Sequence, residues 1–304
     1  MRKKERILVI LNPASGVVSK DIAASVIFKK LREEFDTVSI INSNSPAHGF
    51  GIAREGMEHF DIITAFGGDG TINSIAGALI GTDKVLGILP GGSGNGLVRN
   101  LEMPLSWRRA LNILKFGEDK SFDVGKINDK TFLNVSGVGL DGIIARKINL
   151  EAKSRGIAPY LYHGLKGYFE TPTFRVKITL DGMEFQDEIM IVAFANFKQY
   201  GGKAVIAPFA EPADGKLDLC ILNKFRLLDA SISMPKLFSG HIHELPFYRT
   251  YKFERVTIES MDPELPLPCT IDGEYGGKEL TKYTVEVMPA KIKIRVPATK
   301  ISNP

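Results

Sequence analysis

The segment AFGGDGTIN, residues 65–73, places three glycines and one acid directly after an apolar run. Glycine weakens strands and helices, so three glycines in four positions indicate a turn or a close approach of the backbone. The residues before the turn predict a short buried strand, and TINSIAGALI after it predicts an amphipathic helix. Backbone N–H groups and a helix N-terminus at such a turn favour an anion. A plain strand-to-helix turn explains this one segment equally well.

Two more glycine-rich turns, NPASG at 12–16 and PGGSGNG at 90–96, follow apolar runs. Strands are predicted over RILVILNP, TVSIINS, DIITAFGG and KVLGILPGG, and helices over IAASVIFKKLREEF, HGFGIAREGM, INSIAGALI and SWRRALNILKFG. This alternation predicts a parallel sheet with helices on both faces. Ligands of such sheets bind outside the carboxyl ends of the strands. All three turns fall there, which favours a shared anion-binding role.

The pattern changes after about residue 122. Strands are predicted over KTFLNVSGVGL, TFRVKITLDG, FQDEIMIVAFANF, KLDLCILNKF, YKFERVTIES, PLPCTIDGE and YTVEVMPAKIKIRV, with one helix around Ser154 to Phe169. This pattern indicates an antiparallel β-sandwich. We therefore predict a doubly wound α/β domain over 1–125 and a β-sandwich domain over 126–290. Residues 291–304 are expected to return to the first domain, and a cleft to lie between the domains.

Composition excludes several classes of protein. The 304 residues are 44% hydrophobic and carry a net charge of +4, with Lys and Arg scattered, so no nucleic-acid partner is expected. Two cysteines, Cys220 and Cys269, fit a reducing cytosol rather than a disulfide framework. No apolar run approaches the roughly 20 residues that span a bilayer. We therefore expect a cytoplasmic protein, whose basic tip MRKKER either touches an anionic surface or is simply solvated.

Four segments, NPASG, GGDGTIN, PGGSGNGLVRNL and IDGE, occur in this order between Asn12 and Glu274. Together they resemble the diacylglycerol kinase catalytic family, which includes bacterial lipid kinases and sphingosine and ceramide kinases. GGDGT also occurs in NAD kinases, so that segment alone identifies only the wider superfamily. Gly96 stands where many bacterial diacylglycerol kinases carry Asp. The resemblance therefore supports membership of the family more strongly than it supports diacylglycerol as the acceptor.

The resemblance implies an ATP- and Mg²⁺-dependent kinase that phosphorylates a hydroxyl of a membrane lipid. The first domain would bind the nucleotide, the second would bind the lipid acceptor, and the active site would lie in the cleft between them. The acceptor would be diacylglycerol, a sphingoid or a related lipid, reached through reversible contact with the membrane surface. An NAD kinase-like phosphotransferase and a non-catalytic nucleotide-sensing relative stay open as alternatives. The sequence also leaves a homodimer open.

The resemblance assigns the nucleotide to the hydroxyls, amides and glycines of these turns. They are Asn12, Ser15, Gly16, Ser43, Gly67, Gly68, Asp69, Gly70, Thr71, Ile72, Asn73, Ser93 and Asn95. The Asp69 carboxylate is a hard oxygen ligand that would hold Mg²⁺ against the phosphates, or else it caps the helix starting at Thr71. Ser43 is an equal candidate for capping the next helix, since NSNSPAHGFG departs from the family's Thr-x-x-x-Gly pattern.

The resemblance also assigns residues in the second domain. Glu274 of IDGE would be the general base on the lipid hydroxyl, a role that suits a carboxylate with a raised pKa. Asp-Gly is also a strong hairpin signal, so a simple turn stays open. EPADGK resembles a turn that binds a structural Mg²⁺ through the Asp214 carboxylate and the carbonyls of Glu211 and Lys216, or is a plain hairpin turn. Asp123 matches an acid that would link this metal to the active site.

Overall fold

The computed structural model describes residues 5–12, 20–92, 94–151, 173–201, 203–225, 229 and 235–298. The chain divides into two compact units: Met1–Phe122 with Ala290–Pro304, and Asp123–Pro289. It passes from one unit to the other within two long strands, β5 (Glu118–Ile127) and β17 (Lys282–Val296). None of the helices in the described ranges is long and apolar enough to cross a membrane.

The first unit alternates strands and helices along the chain. Its elements are β1 (Arg6–Leu11), α1 (Lys20–Leu31), β2 (Thr37–Asn42), α2 (Pro46–Gly56), β3 (Ile62–Gly67), α3 (Asp69–Leu79), β4 (Val85–Pro90), α4 (Gly96–Asn100) and α5 (Trp107–Phe116). The strands pair in parallel in the order β17–β4–β3–β1–β2. The predicted α/β class is confirmed.

Helices cover both faces of this parallel sheet, which is why β1, β3 and β4 are almost continuously apolar and buried, whereas β2 at the edge is partly exposed. On one face, Val9 of β1 belongs to a buried cluster that includes Ile27 of α1 and Trp107 of α5. On the other face α2 approaches Leu8 so closely that a Cβ at Gly56 would lie 2.5 Å from its Cδ2 atom. The two layers fix the carboxyl ends of β1, β3 and β4, where the glycine-rich turns begin.

A buried arginine holds the end of β17 in the first unit. β17 pairs in parallel with β4 through Lys293 and Ile294. The Arg295 guanidinium, 7% exposed, donates to both oxygens of Asp119 at 2.7 and 2.9 Å and to both oxygens of Glu5 at 2.9 Å. Paired, charge-assisted bonds of this kind are the strong class of protein hydrogen bonds. Arg295 therefore ties the last strand to both ends of the unit's first segment, Met1–Phe122.

The second unit is built mainly from antiparallel strands. Its elements are β6 (Lys130–Phe132), β7 (Val135–Gly139), α6 (Leu140–Glu151), β8 (Phe174–Leu180), β9 (Met183–Ala195), β10 (Gln199–Gly201), β11 (Ala204–Val205), β12 (Leu217–Asn223), β13 (Tyr248–Phe253), β14 (Arg255–Ser260), β15 (Cys269–Ile271) and β16 (Glu274–Tyr275). The sheet order is β16–β15–β7–β9–β8–β14–β17, and β12 pairs with β9 and β13. The predicted antiparallel class is confirmed.

Two local predictions in this unit were wrong. YKFERVTIES forms two strands rather than one, because the chain bends at Glu254, where the Asp181 carboxylate accepts the N–H groups of Glu254 and Arg255. KTFLNVSGVGL also forms two strands, β6 and β7, and its last residue, Leu140, begins the unpredicted helix α6. The helix predicted around Ser154 to Phe169 lies outside the described residues.

Candidate functional site

The turns that follow β3 and β4 pack against each other through glycine. Gly91 donates its N–H to the carbonyl of Gly67 at 2.7 Å. A Cβ placed on Gly92 would lie 2.6 Å from the Cα of Gly68, and one on Gly68 would lie 3.2 Å from the Cα of Gly92. Backbone therefore meets backbone here, and a side chain at position 92 would force the two turns apart. These glycines are needed to bring two helix starts together.

Asp69 joins these two turns. It is the first residue of α3, whose N-cap is Gly68 without a side-chain hydrogen bond, so the interpretation of Asp69 as a cap of this helix was wrong. Its Oδ1 atom instead accepts the backbone N–H of Gly96 at 2.7 Å, and its Oδ2 atom would be 2.7 Å from a Cβ at Gly94. Burial raises the pKa of Asp69, against the opposing effect of the N–H groups of residues 95–97. The carboxylate is thus fixed beside a glycine-lined loop.

Asn12 connects the end of β1 to the start of α3. Its backbone N–H donates to the Phe66 carbonyl at 3.0 Å, and its side-chain Nδ2 donates to Thr71 Oγ1 at 2.8 Å. Residue 67 must be glycine next to this contact, because a Cβ atom added there would lie 2.6 Å from the Thr71 side chain. Ile72 is fully buried, so only its backbone could face a ligand. Gly70 and Asn73 lie partly exposed in the first turn of the same helix.

Asn95 closes the turn before α4. Its backbone is left-handed, with φ of 51°, and its side chain is buried. The amide Nδ2 donates to the Gly92 carbonyl at 2.8 Å, and Oδ1 accepts the Gly92 N–H at 3.3 Å. The described contacts of Asn95 therefore shape the loop from within. Ser15, Gly16 and Ser93, which were assigned to the same nucleotide site, lie outside the described residues.

Ser43 follows β2 and is 1% exposed. Its N–H donates to the Leu11 carbonyl at 2.8 Å, and its Oγ lies 3.5 Å from the same oxygen. The residue that caps α2 is Ser45, whose Oγ accepts the N–H of His48 at 3.1 Å. The helix-cap interpretation of Ser43 was therefore wrong. Ser43 sits at the carboxyl end of the sheet, next to the end of β1.

The residues at these turns fit a phosphate group and a hard divalent cation. The fit rests on the Asp69 carboxylate, on the start of the eleven-residue helix α3, and on glycines at 67, 68, 92 and 94 whose Cβ atoms would strike neighbouring protein atoms. Carboxylate oxygens are the ligands that Mg²⁺ takes in nucleotide sites. Helix N-termini favour anions through their N–H groups and dipole.

Glu274 lies directly after a two-residue hairpin turn. Asp272 and Gly273 have φ of 48° and 84°, which is the type I′ pattern expected for Asp-Gly, and Glu274 pairs across the turn with Ile271. The hairpin interpretation is thus confirmed. It also leaves the Glu274 side chain exposed at the start of β16. The hairpin interpretation is compatible with Glu274 as a proton acceptor, because the turn determines the position of the Glu274 carboxylate.

The turn 211–216 holds the three residues assigned to a structural metal. Asp214 accepts the N–H of Lys216 at 3.0 Å with Oδ1 and the ammonium of Lys252 at 2.7 Å with Oδ2. Within the described ranges, no three His, Cys, Asp or Glu side chains form a group that could hold a metal. The plain hairpin interpretation was wrong, because the turn leads into β12, whose partners are β9 and β13. Asp123 is buried beside it and accepts the Gly215 N–H at 2.7 Å.

Two family models match most of the chain. The model described as "Diacylglycerol kinase catalytic domain" matches residues 6–127. The model described as "YegS C-terminal NAD kinase beta sandwich-like domain" matches residues 134–296. The chain belongs to the diacylglycerol kinase catalytic-domain family. It is therefore a kinase whose acceptor is an alcohol group, as the four sequence segments predicted.

Curated relatives of this kinase align over nearly the whole chain. The "Diacylglycerol kinase" of Bacillus subtilis (strain 168) is 29% identical over 281 residues, 90% of this chain and 91% of the relative. That of Staphylococcus carnosus (strain TM300) is 27% identical over 284 residues, 91% and 90% of the two chains. A crystal structure of a diacylglycerol kinase from Bacillus anthracis str. Sterne is 23% identical, with a TM-score of 0.75 over 97% and 98% of the two chains. This likeness shows the same fold.

The sequence did not predict the hydrogen bonds that Asp272 forms in this kinase. Its carboxylate accepts the N–H of Asn134 at 2.7 Å and the N–H of Leu133 at 2.8 Å, and its own N–H donates to Ser136 Oγ at 3.3 Å. These bonds tie the β15–β16 hairpin to the chain between β6 and β7. The Asp-Gly pair predicts the turn, but no local pattern reports a partner 138 residues away.

Asp141 was also missed. It lies in the first turn of α6 and is 6% exposed, with Oδ1 accepting the Gly142 N–H at 2.8 Å and Oδ2 accepting the Tyr200 hydroxyl at 3.2 Å. Burial raises the pKa of Asp141 to about 7. The helix that carries it contacts the β15–β16 hairpin. The sequence signal was SGVGLDG, a second glycine-rich strand-to-helix turn with an acid.

Asp141 should make the stability of the kinase depend on pH. The unfolded chain loses this proton near pH 4 and the folded chain near pH 7, so the free energy of unfolding falls as pH rises between these values. Asp141→Asn removes that fall and should be more stable than the parent at pH 8, by about 2–4 kcal/mol, but not at pH 4. Urea unfolding at both pH values, with exposed Asp129→Asn as the control, measures the difference. An equal effect at both pH values would contradict this origin.

Proposed function

We propose that this kinase transfers the γ-phosphoryl group of ATP, with Mg²⁺, to a hydroxyl of a membrane lipid. The observation that carries the proposal is the Asp69 carboxylate, fixed by the Gly96 N–H at 2.7 Å beside two interlocked glycine turns. Phosphoryl transfer depends on positioning the phosphates and on stabilising their charge, which a preorganised acid, N–H groups and a bound cation provide together. Relatives named diacylglycerol kinase support a lipid acceptor.

The first unit would bind the nucleotide through residues at the ends of β1, β3 and β4. Asp69 would orient the divalent cation, while the start of α3 offers N–H groups and a positive dipole to the phosphates. Asn12 would hold the start of α3 against the end of β1 through its hydrogen bond to Thr71. When bound, Mg²⁺ neutralises negative charge on the phosphate oxygens.

The second unit would supply the proton acceptor. As the lipid hydroxyl oxygen bonds to the γ-phosphorus, the bond from that phosphorus to the bridging oxygen breaks and ADP leaves. The hydroxyl proton passes to the Glu274 carboxylate. The hairpin and the two N–H bonds to Asp272 would hold Glu274 in place for this step. General bases act within hydrogen-bond reach of the proton that they remove.

A membrane lipid as acceptor requires the reaction to take place at a membrane surface. We propose reversible contact with the surface of an anionic membrane on its cytoplasmic side, aided by the basic residues of the N-terminal hexapeptide MRKKER. Basic residues near such a surface contribute about 1 kcal/mol each and are screened by salt. Diacylglycerol, sphingoids and related lipids share the required hydroxyl. NAD and other soluble alcohols are the rival acceptors, because GGDGT is shared with NAD kinases.

The test is to incubate the protein with ³²P-labelled ATP, Mg²⁺ and total membrane lipids in vesicles, and separately with NAD. Label in a lipid phosphomonoester, identified by mass spectrometry, supports the proposal, and anionic vesicles at low salt should give the higher rate. Label only in NADP would replace the lipid kinase by an NAD kinase. ATP binding without transfer to either acceptor would indicate a nucleotide-sensing relative.

A further inference from the structure

We propose that Lys252 is an internal cation that takes the place of a divalent metal at the turn 211–216. The family resemblance implies a structural Mg²⁺ on this turn, held by the Asp214 carboxylate and two main-chain carbonyls. In this chain a lysine ammonium from the neighbouring strand already binds the same carboxylate. The inference concerns how the second unit holds its shape and does not depend on the acceptor or the nucleotide.

The position of Lys252 follows from strand register. β12 and β13 pair antiparallel with Asp218 directly opposite Lys252. The ammonium lies 3.1 Å from Asp218 Oδ2 and reaches past the strand end to Asp214 Oδ2 at 2.7 Å. Asp218 is 3% exposed, so its carboxylate needs a positive partner from the protein. One lysine therefore bridges the acid on the strand and the acid on the turn.

Several other groups of the turn have partners within the chain as well. Asp214 Oδ1 accepts the Lys216 N–H at 3.0 Å, and the Glu211 carbonyl lies 3.4 Å from the N–H of Asp214. The buried Asp123 accepts the Gly215 N–H at 2.7 Å, and its own N–H donates to the Pro212 carbonyl at 2.8 Å. Hydrogen bonds within the chain thus fix the turn from both sides.

A magnesium ion and this ammonium compete for the same oxygen. Mg²⁺ binds carboxylate oxygens at about 2.0–2.1 Å and requires near-octahedral geometry. A metal at Asp214 Oδ2 would stand within a few ångströms of the Lys252 charge, and like charges at that distance repel. Binding the metal would also leave the buried Asp218 without its ammonium partner. The arrangement therefore favours lysine over a divalent cation.

The test compares unfolding temperatures in EDTA and in millimolar Mg²⁺, without nucleotide. The parent protein should show no Mg²⁺-dependent rise. Lys252→Met should unfold about 3–6 °C lower in EDTA, because it leaves two acids without their cation. Mg²⁺ should then recover part of the loss, and Asp214→Asn added to Lys252→Met should abolish that recovery.

A matched control is Lys282→Met. Lys282 is also a cross-strand lysine, paired with Glu259 directly opposite it, but both side chains are about half exposed. Its removal should lower the unfolding temperature little and create no response to Mg²⁺. Lys252→Arg should keep the parent behaviour. A Mg²⁺-dependent rise in the parent that Asp214→Asn removes would overturn the proposal without any Lys252 variant, as would a Lys252→Met protein that ignores Mg²⁺.

Discussion

Replacing Glu274 with Gln should lower turnover by about 10²–10⁴-fold while leaving MgATP affinity nearly unchanged. Glutamine keeps the size of the side chain and its ability to form hydrogen bonds, but it cannot take a proton from the acceptor hydroxyl. Loss of a general base typically costs this much in rate. The nucleotide residues proposed here belong to the first unit, whereas Glu274 belongs to the second. Binding and turnover should therefore separate in this variant.

The local structure around Glu274 does not depend on its side chain, so this substitution should change the chemistry without changing the fold. The hairpin is set by the backbone of Asp272 and Gly273 and by the bonds of Asp272 to Leu133 and Asn134, none of which uses the Glu274 side chain. The exposed position of Glu274 removes any packing cost. Stability should accordingly stay within about 0.5 kcal/mol of the parent.

The measurement is steady-state transfer of labelled phosphate to vesicle lipid, alongside MgATP binding by calorimetry. Glu264→Gln is the matched control, since Glu264 is another exposed acid of the second unit, and it should keep the parent rate. If Glu274→Gln binds MgATP normally and also keeps the parent rate, the base assignment fails and IDGE is only a hairpin.

The first unit could be predicted from sequence because its signals are local. Four apolar runs, each followed by a glycine-rich or polar turn, specify parallel strands, and helical spacing between them specifies the covering layers. Positions 67, 68 and 92 need glycine for contacts that form at the very turns where the motif was recognised. The prediction of an anion site and the packing requirement therefore point to the same residues.

The second unit was harder because its decisive contacts join distant parts of the chain. The bend at Glu254 is bound by Asp181, and the bridge of Lys252 to Asp214 depends on the register of β12 with β13. The predicted strand KTFLNVSGVGL ended directly before Asp141, so neither the start of α6 nor the burial of this acid was predicted. Local patterns do not encode register, and register decides which acid meets which cation.

Replacing Asp69 with Asn should reduce transfer by about 10²–10³-fold and weaken MgATP binding, in contrast to Glu274→Gln. Asparagine can still accept the Gly96 N–H through its Oδ1 atom, so the two glycine turns should stay joined. What it loses is the negative charge that would hold a divalent cation. Removing one preorganised electrostatic contact to the reacting group costs about this much in rate.

Asp69→Ala distinguishes the charge from the structural contact. Alanine also removes the acceptor for the Gly96 N–H, which should lower stability by about 1–2 kcal/mol relative to Asp69→Asn. Nucleotide binding titrated with Mg²⁺ and urea unfolding of both variants give the two readouts. If the charge matters, both variants lose transfer and added Mg²⁺ partly restores Asp69→Asn. If Asp69→Asn transfers phosphate like the parent and only Asp69→Ala fails, the acid serves to join the turns and the cation assignment is wrong.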